Sequence, residues 1–254
     1  MNRLRSALAE GRPAIGHMML EFGTRGIAKI IEACGLDFVL IDMEHSGMDF
    51  GAVADLLAWF KSTPVTPIVR VPVTEYHFIA RVMDAGAMGV MAPNVRTPEQ
   101  AREVVAAMRY APEGMRGLGL GTAHNDYIAP RVPSYLHEAN RQNVAICQIE
   151  STMGLENLDA IAATPGVDIL FLGHFDLTQS MGIVGEFENP RFLEAVRRIA
   201  ERANAHGKIA GIQPGTVSQA RQAISLGYRV ISMGHDTAVY ANALRGMVGG
   251  IRNT

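Results

Sequence analysis

Eight short apolar runs punctuate the chain, and they constrain its fold more than any other feature. They read AIGHM (14–18), FVLIDM (38–43), PIVRVP (67–72), GVMAPN (89–94), VAICQIE (144–150), DILFLG (168–173), KIAGIQ (208–213) and RVISMG (229–234). Each is apolar along its length, the pattern of a parallel strand covered on both faces. Between them lie stretches with helical spacing at 24–35, 50–62, 77–86, 98–110, 189–207, 217–227 and 235–250. Gly35, Gly86, Gly207 and Gly227 each stand just before a strand, where a left-handed residue stops the preceding helix. Strands alternating with helices over 254 residues predict an α/β fold, a single (β/α)8 TIM barrel spanning 1–254. One connection breaks the rhythm. Residues 110–143 are rich in Gly and Pro, and a connection of that length usually serves function or assembly.

Composition narrows the classes of function. A formal net charge of −2 offers no attraction for nucleic acid or a membrane surface. No apolar run reaches the ~18 residues that span a bilayer, and the opening MNRLRSALAEGRP has no signal-peptide core. A cytoplasmic protein is expected. Cys34 and Cys147 both sit in apolar surroundings and read as buried free thiols rather than a disulfide.

In a barrel of this kind the chemistry lies at the C-terminal ends of the strands. Four of the runs end in charge there: Asp42, Glu44 and His45 after the second, Arg70 in the third, Glu150 after the fifth and Asp176 after the sixth. Two carboxylates from separate strands can converge on a hard divalent cation such as Mg²⁺. The cation keeps waters that a 2-oxo acid replaces through its keto and carboxylate oxygens. Taken singly, Glu150 reads as a loop cap and Asp176 as the N-cap of a helix from Leu177; the pair together points to metal. His45, flanked by Asp42 and Glu44, titrates in the range for proton transfer. Arg70 needs an anionic partner in a buried strand, either a salt bridge with Asp42 or, the reading favoured here, a substrate carboxylate or oxyanion. The turn Gly173-His174-Phe175-Asp176 opens a helix and offers backbone N–H groups to a carboxylate. GLGLG (117–121) does not lie between a strand and a helix, so it is not a nucleotide loop. Histidines 17, 77, 124, 137, 206 and 235 read as surface or loop residues, His124 standing apart because it lies in the long connection.

The segments IDMEH, IVRVP, MDAGAMGVMAPNV, YAPEGMRG, QIES and FLGHFDLTQSMG, in this order from about residue 14 to 235, resemble the HpcH/HpaI aldolase family. These are class II, metal-dependent pyruvate aldolases, including 4-hydroxy-2-oxoheptanedioate and 2-keto-3-deoxy-sugar-acid aldolases. The resemblance implies that Glu150 and Asp176 bind Mg²⁺, Mn²⁺ or Co²⁺, and that His45 moves a proton with support from Asp84, beside the Asp42 that the residues themselves offer. It implies that Arg70 polarises the keto oxygen, and that Gln148 and the backbone of Gly173, His174 and Phe175 hold the 2-oxo acid. It further implies a homohexamer, a trimer of dimers, with the C-terminal helix at 235–250 exchanged between subunits and residues 122–125 reaching a neighbour's site. The chain departs from the family in two places. His174 stands where many members have Pro, which leaves pyruvate and hydroxypyruvate both open as donors, and Ala111 replaces the first Pro of a Y-P-P motif.

Three lysines exist, at 29, 61 and 208, and Lys208 lies at the opposite rim, so a Schiff-base aldolase is disfavoured. A CoA-ester lyase of the citrate-lyase-β or malyl-CoA type would need a basic cluster that the sequence lacks. A phosphate-binding isomerase or decarboxylase would use GIQPGT (211–216) and SMGHD (232–236), and leaves Glu150, Asp176 and Arg70 without a role. A non-catalytic ligand-binding barrel leaves the whole acid, His and Arg set without one.

Overall fold

The computed structural model describes residues 2–252. Helix α1 (Arg3–Ala9) leads into strand β1 (Ala14–Met19) and helix α2 (Ile27–Ala33). Then follow β2 (Phe38–Asp42), α3 (Phe50–Phe60), β3 (Thr66–Arg70), α4 (Tyr76–Ala85), β4 (Gly89–Ala92) and α5 (Pro98–Met108). A 3₁₀ turn (Ala123–Asn125) and α6 (Val132–Gln142) precede β5 (Val144–Ile149), α7 (Thr152–Glu156), α8 (Leu158–Ala162), β6 (Ile169–Leu172) and α9 (His174–Ser180). The chain ends with α10 (Pro190–Ala205), β7 (Ile209–Ile212), α11 (Val217–Ser225), β8 (Tyr228–His235) and α12 (Asp236–Arg252). Every strand pairs in parallel with its sequence neighbour, and β8 closes on β1. The eight expected strands are all present, and Gly35, Gly86, Gly207 and Gly227 all have positive φ.

Alternate residues of each strand face opposite layers. Phe38, Leu40, Ile68, Met91, Ile146, Ile169, Phe171 and Val230 fill the barrel, while Val39, Ile41, Val69, Cys147, Leu170 and Leu172 pack under the helices. Inside the barrel, large rings face glycines in register: Phe38 opposite Gly16, and Phe171 opposite Gly211. A Cβ on Gly16 would stand 2.5 Å from the Phe38 ring, and one on Gly211 would run into Phe171. Gly211→Val is therefore expected to cost about 3 kcal/mol through overpacking. A denaturation midpoint equal to wild type would refute this pairing of large with small.

Sequence reasoning missed α1. It is short and half polar, yet Leu4 and Ala7 are buried in the inner cluster and close the lower end of the barrel. Asn2 caps it through Arg5 N–H, Leu4 N–H donates to Thr66, and Arg5 reaches Asp168. The long connection is not wholly irregular, since it carries α6. Cys34 is exposed rather than buried, because it falls at the outer end of α2; only Cys147 lies in the core. The segment between β5 and β6, where no helix was expected, folds into α7 and α8.

The last helix touches its own barrel near its start, where Tyr240 meets Phe22 edge-on at 5.4 Å, and leaves most of its length uncovered. Of its residues only Asp236 is buried; Val239, Tyr240, Leu244, Met247 and Val248 are exposed. Ile15, His17 and Met233 on the outer faces of β1 and β8 are only half covered. Asp236 pins the junction by accepting backbone N–H bonds from Leu20, Glu21, Phe22 and Thr237.

Candidate active site

The parity that fills the barrel also builds its mouth. In β2 the inward series Phe38, Leu40 ends in Asp42; in β3, Thr66, Ile68 ends in Arg70; in β5, Val144, Ile146 ends in Gln148, and Glu150 follows. Asp42 and Arg70 are register partners. Arg70 donates from Nε and Nη2 to the two Asp42 oxygens at 2.7 and 2.8 Å, and its Nη1 lies 3.1 Å from Glu44 Oε2. Asp42 also accepts the backbone N–H groups of Glu44 and His45 at 3.0 and 3.2 Å. The salt bridge weighed from the sequence is thus present. Arg70 is not held in reserve for a substrate alone, and Asp42 is wholly buried behind it. Burial by itself would lower the Arg70 pKa, but Asp42 and Glu44 raise it above its ordinary value.

Glu150 is buried. Its Oε1 accepts the N–H of Asn94 at 2.7 Å and its Oε2 accepts Gln148 Nε2 at 2.5 Å. Burial, and then the negative charges of Glu44 and Asp176, push its pKa up to about 7. Glu44 is raised as well, chiefly by burial. Asn94 reaches this position by adopting a left-handed φ of 51°, a conformation Asn tolerates better than most residues. Sequence reasoning missed it, although Asn at the end of GVMAPN was the available signal.

Gly173 is the N-cap of α9, which starts at His174 rather than near Leu177, so Asp176 sits in the first turn and is not the cap. The Gly173 N–H is not free, since it donates to Ile149 O at 3.1 Å. What Gly173 supplies is space: a Cβ there would collide with Glu150 and Gln148. His174 packs against Phe175 and Phe187 at centroid distances of 4.7 and 5.4 Å, and the two Phe rings also meet each other at 5.1 Å.

A cavity of about 510 Å³ collects His45, Arg70, Gln148, Gly173, Phe175 and Asp176 at the mouth. His174 and His235 line it too, as do the apolar Met18, Leu20, Met91, Phe171 and Leu172. His235 is therefore part of the site and not a bystander at the surface; its Nδ1 lies 2.8 Å from Thr237 Oγ1. The His45 ring is largely exposed, with Nε2 3.7 Å from Glu44 Oε2. Arg70 is the one cationic side chain in this lining, which gives a CoA phosphate no basic cluster. The Gly-rich turns after β7 and β8 are used internally: Gly215 N–H donates to Gln219, and Gly234 O accepts Gln213 Nε2.

Asp84 is not brought to His45 within the chain. It lies on α4, bound by Arg116 through Nε at 3.1 Å and Nη2 at 2.5 Å. His124 is beside it, buried rather than on the surface, with its Nδ1 2.9 Å from Tyr135 Oη and its Nε2 3.8 Å from Asp84. Burial, then Arg116, pushes the His124 pKa down to about 4.

The residues at the mouth fit a hard divalent cation. Oxygen donors dominate, Asp176 has an exposed carboxylate, and the buried Gln148 Oε1 has no protein partner. The Glu150 pKa is raised first by burial and then by repulsion from Glu44 and Asp176, and a cation would relieve that repulsion. Among the described residues no group of three or more His, Cys, Asp or Glu side chains is set for a metal, so the pair would leave the remaining positions to water and substrate.

Comparison with known proteins gives a consistent picture. The family model described as HpcH/HpaI aldolase/citrate lyase matches residues 20–243. The hydroxypyruvate/pyruvate aldolase of Deinococcus radiodurans is 38% identical over 244 residues, covering 96% of this chain and 87% of that protein. The 5-keto-4-deoxy-D-glucarate aldolase of Shigella boydii is 34% identical over 242 residues, covering 95% and 93%. The crystal structure of an HpcH/HpaI aldolase from Desulfitobacterium hafniense superposes with a TM-score of 0.95 at 27% identity, covering 99% of this chain and 97% of that one.

Proposed function

The chain belongs to the HpcH/HpaI aldolase/citrate lyase family, and on that premise we propose that it is a class II aldolase. It would reversibly cleave a 4-hydroxy-2-oxo acid to an aldehyde and pyruvate or hydroxypyruvate. The observation that carries this reading is the convergence of a buried Glu150 with Asp176 and Arg70 at one barrel mouth. A divalent cation (Mg²⁺, Mn²⁺ or Co²⁺) held by Glu150 and Asp176 supplies Lewis acidity toward the keto and carboxylate oxygens.

The chain's own groups do the rest. Arg70, locked by Asp42, presents fixed positive charge where the keto oxygen gains electrons. His45 takes the proton of the C4 hydroxyl. The C3–C4 pair collapses into the enolate as the aldehyde carbonyl forms, and the proton returns to C3. Gln148 and the first turn of α9, whose N–H groups lack intrahelical partners, hold the carboxylate. Asp84 can support His45 only if another copy brings it there.

A homohexamer with α12 exchanged between copies accounts for the exposed apolar residues of α12 and for the half-covered faces of β1 and β8. Light scattering is expected to give six chains for the full protein and a smaller species once α12 is deleted; a monomeric full-length protein would defeat the exchange. Among the described residues no helix is long and apolar enough to cross a membrane. Two unpaired cysteines suit the reducing cytoplasm in which we place the protein.

The enzymatic reading is tested by exchange of pyruvate methyl protons in D₂O, followed by NMR without any aldehyde. Exchange is expected with Mg²⁺, Mn²⁺ or Co²⁺, to vanish with EDTA, and to resist borohydride plus pyruvate. Cation-independent exchange with borohydride inactivation would replace this mechanism by a Schiff base.

A further inference from the structure

Resting on the aldolase reading above, we infer that the His174 imidazole is a specificity-determining contact for the donor. It would recognise a hydroxyl on the carbon next to the keto group, so that the chain favours 3-hydroxy-2-oxo acids over pyruvate. His174 stands in the cavity wall beside Gly173 and one turn position from Asp176, where the donor's oxygens are held. Its ring packs in a three-ring cluster with Phe175 and Phe187. Neither ring nitrogen bonds to any described residue. Arg70 is engaged by Asp42 and Glu44 and Gln148 Nε2 by Glu150, while Gln213 and His235 each spend one polar atom internally, Nε2 on Gly234 O and Nδ1 on Thr237.

A neutral imidazole offers one donor and one acceptor, which is the complement of a hydroxyl. Of the other unengaged polar atoms in the wall, Gln148 Oε1 and Gln213 Oε1 only accept, and His45 and His235 Nε2 stand on other elements, whereas His174 adjoins the turn that holds the donor. A pyruvate methyl gains nothing from the imidazole and leaves its nitrogens unpaired. Sites built to bond a hydroxyl discriminate against the analogue that lacks it, while purely apolar sites do so weakly.

The test is exchange of C3 protons of pyruvate and of hydroxypyruvate, each alone in D₂O with saturating Mg²⁺ and corrected for the enzyme-free rate. Wild type, His174→Phe and His174→Asn are compared, and no aldehyde is present, so the acceptor plays no part. His174→Phe is expected to lower the hydroxypyruvate-to-pyruvate ratio of kcat/KM about tenfold, whatever loss the two share. His174→Asn, which keeps a donor and an acceptor, is expected to recover part of that ratio, and calorimetric Kd values should move in the same direction. A ratio within twofold of wild type in His174→Phe, with both rates falling together or neither falling, overturns the inference. Absence of exchange from both acids in wild type defeats the aldolase reading itself, and the inference with it.

Discussion

Replacing Glu150 with Gln is expected to make the cation-free protein more heat-stable at pH 8 while removing its activity. The group's ordinary pKa of 4.5 is raised to about 7 in the folded chain, so the fold prefers the protonated form. Below pH 4.5 the side chain is neutral folded or unfolded, and the substitution changes nothing. From pH 4.5 to 7 the unfolded chain ionises first and wild type loses stability. Above pH 7 the loss levels off at about 3 kcal/mol, the free-energy equivalent of the shift. Glutamine keeps the shape and never ionises, so its melting point should lie roughly 6–10 °C above wild type at pH 8 and converge on it near pH 4. Pyruvate exchange should fall by about a thousandfold or more, since the cation loses a buried ligand. Melts at the two pH values together with the exchange assay decide the matter. Equal melting points at pH 8 would show that Glu150 is not strained, and exchange within tenfold of wild type would remove it from the metal site.

Arg70→Met is expected to be costly in both respects. It strands the fully buried Asp42 carboxylate, a loss of about 3–5 kcal/mol for a broken buried ion pair. Adding Asp42→Asn removes the orphaned charge and should return a large part of that stability, because a neutral amide in place of the carboxylate no longer needs a cation. Exchange should stay absent in both variants. Urea denaturation separates the two roles. If the double variant is no more stable than the single, the pair is not the source of the loss. If the single variant still exchanges pyruvate protons at more than a tenth of the wild-type rate, Arg70 does not act at the keto oxygen.

The barrel and its rim were legible because one rule produces both. Strand parity sends Phe38, Leu40, Ile68 and Ile146 inward, and the next inward positions are Asp42, Arg70 and Gln148. What stayed hidden depends on partners far apart in sequence. Nothing local marks Leu4 as a barrel plug, since its burial comes from Thr66 and the inner layer. The Arg70–Asp42 salt bridge was weighed from the sequence but not favoured over a substrate partner, because the register of β2 with β3 that sets the two side by side is not local. His124 lay in a connection rich in Gly and Pro, and only the fold sets Tyr135 and Asp84 around it. Asp84 shows the limit of reading a single chain, because its resemblance-derived role needs a histidine that the chain does not bring to it.

The filled barrel, completed from below by α1, has a kinetic consequence for the proposed cleavage. With Leu4 and Ala7 sealing the lower end and Phe171 and Met91 forming the cavity floor, the barrel has a single door. In the proposed cleavage the 2-oxo acid fragment rests on that floor, and the aldehyde lies between it and solvent. The aldehyde must depart first, and in the synthetic direction the 2-oxo acid must enter first. In that reading the order of reaction follows from the depth of a site set above a filled barrel, whose inner layer α1 completes from below.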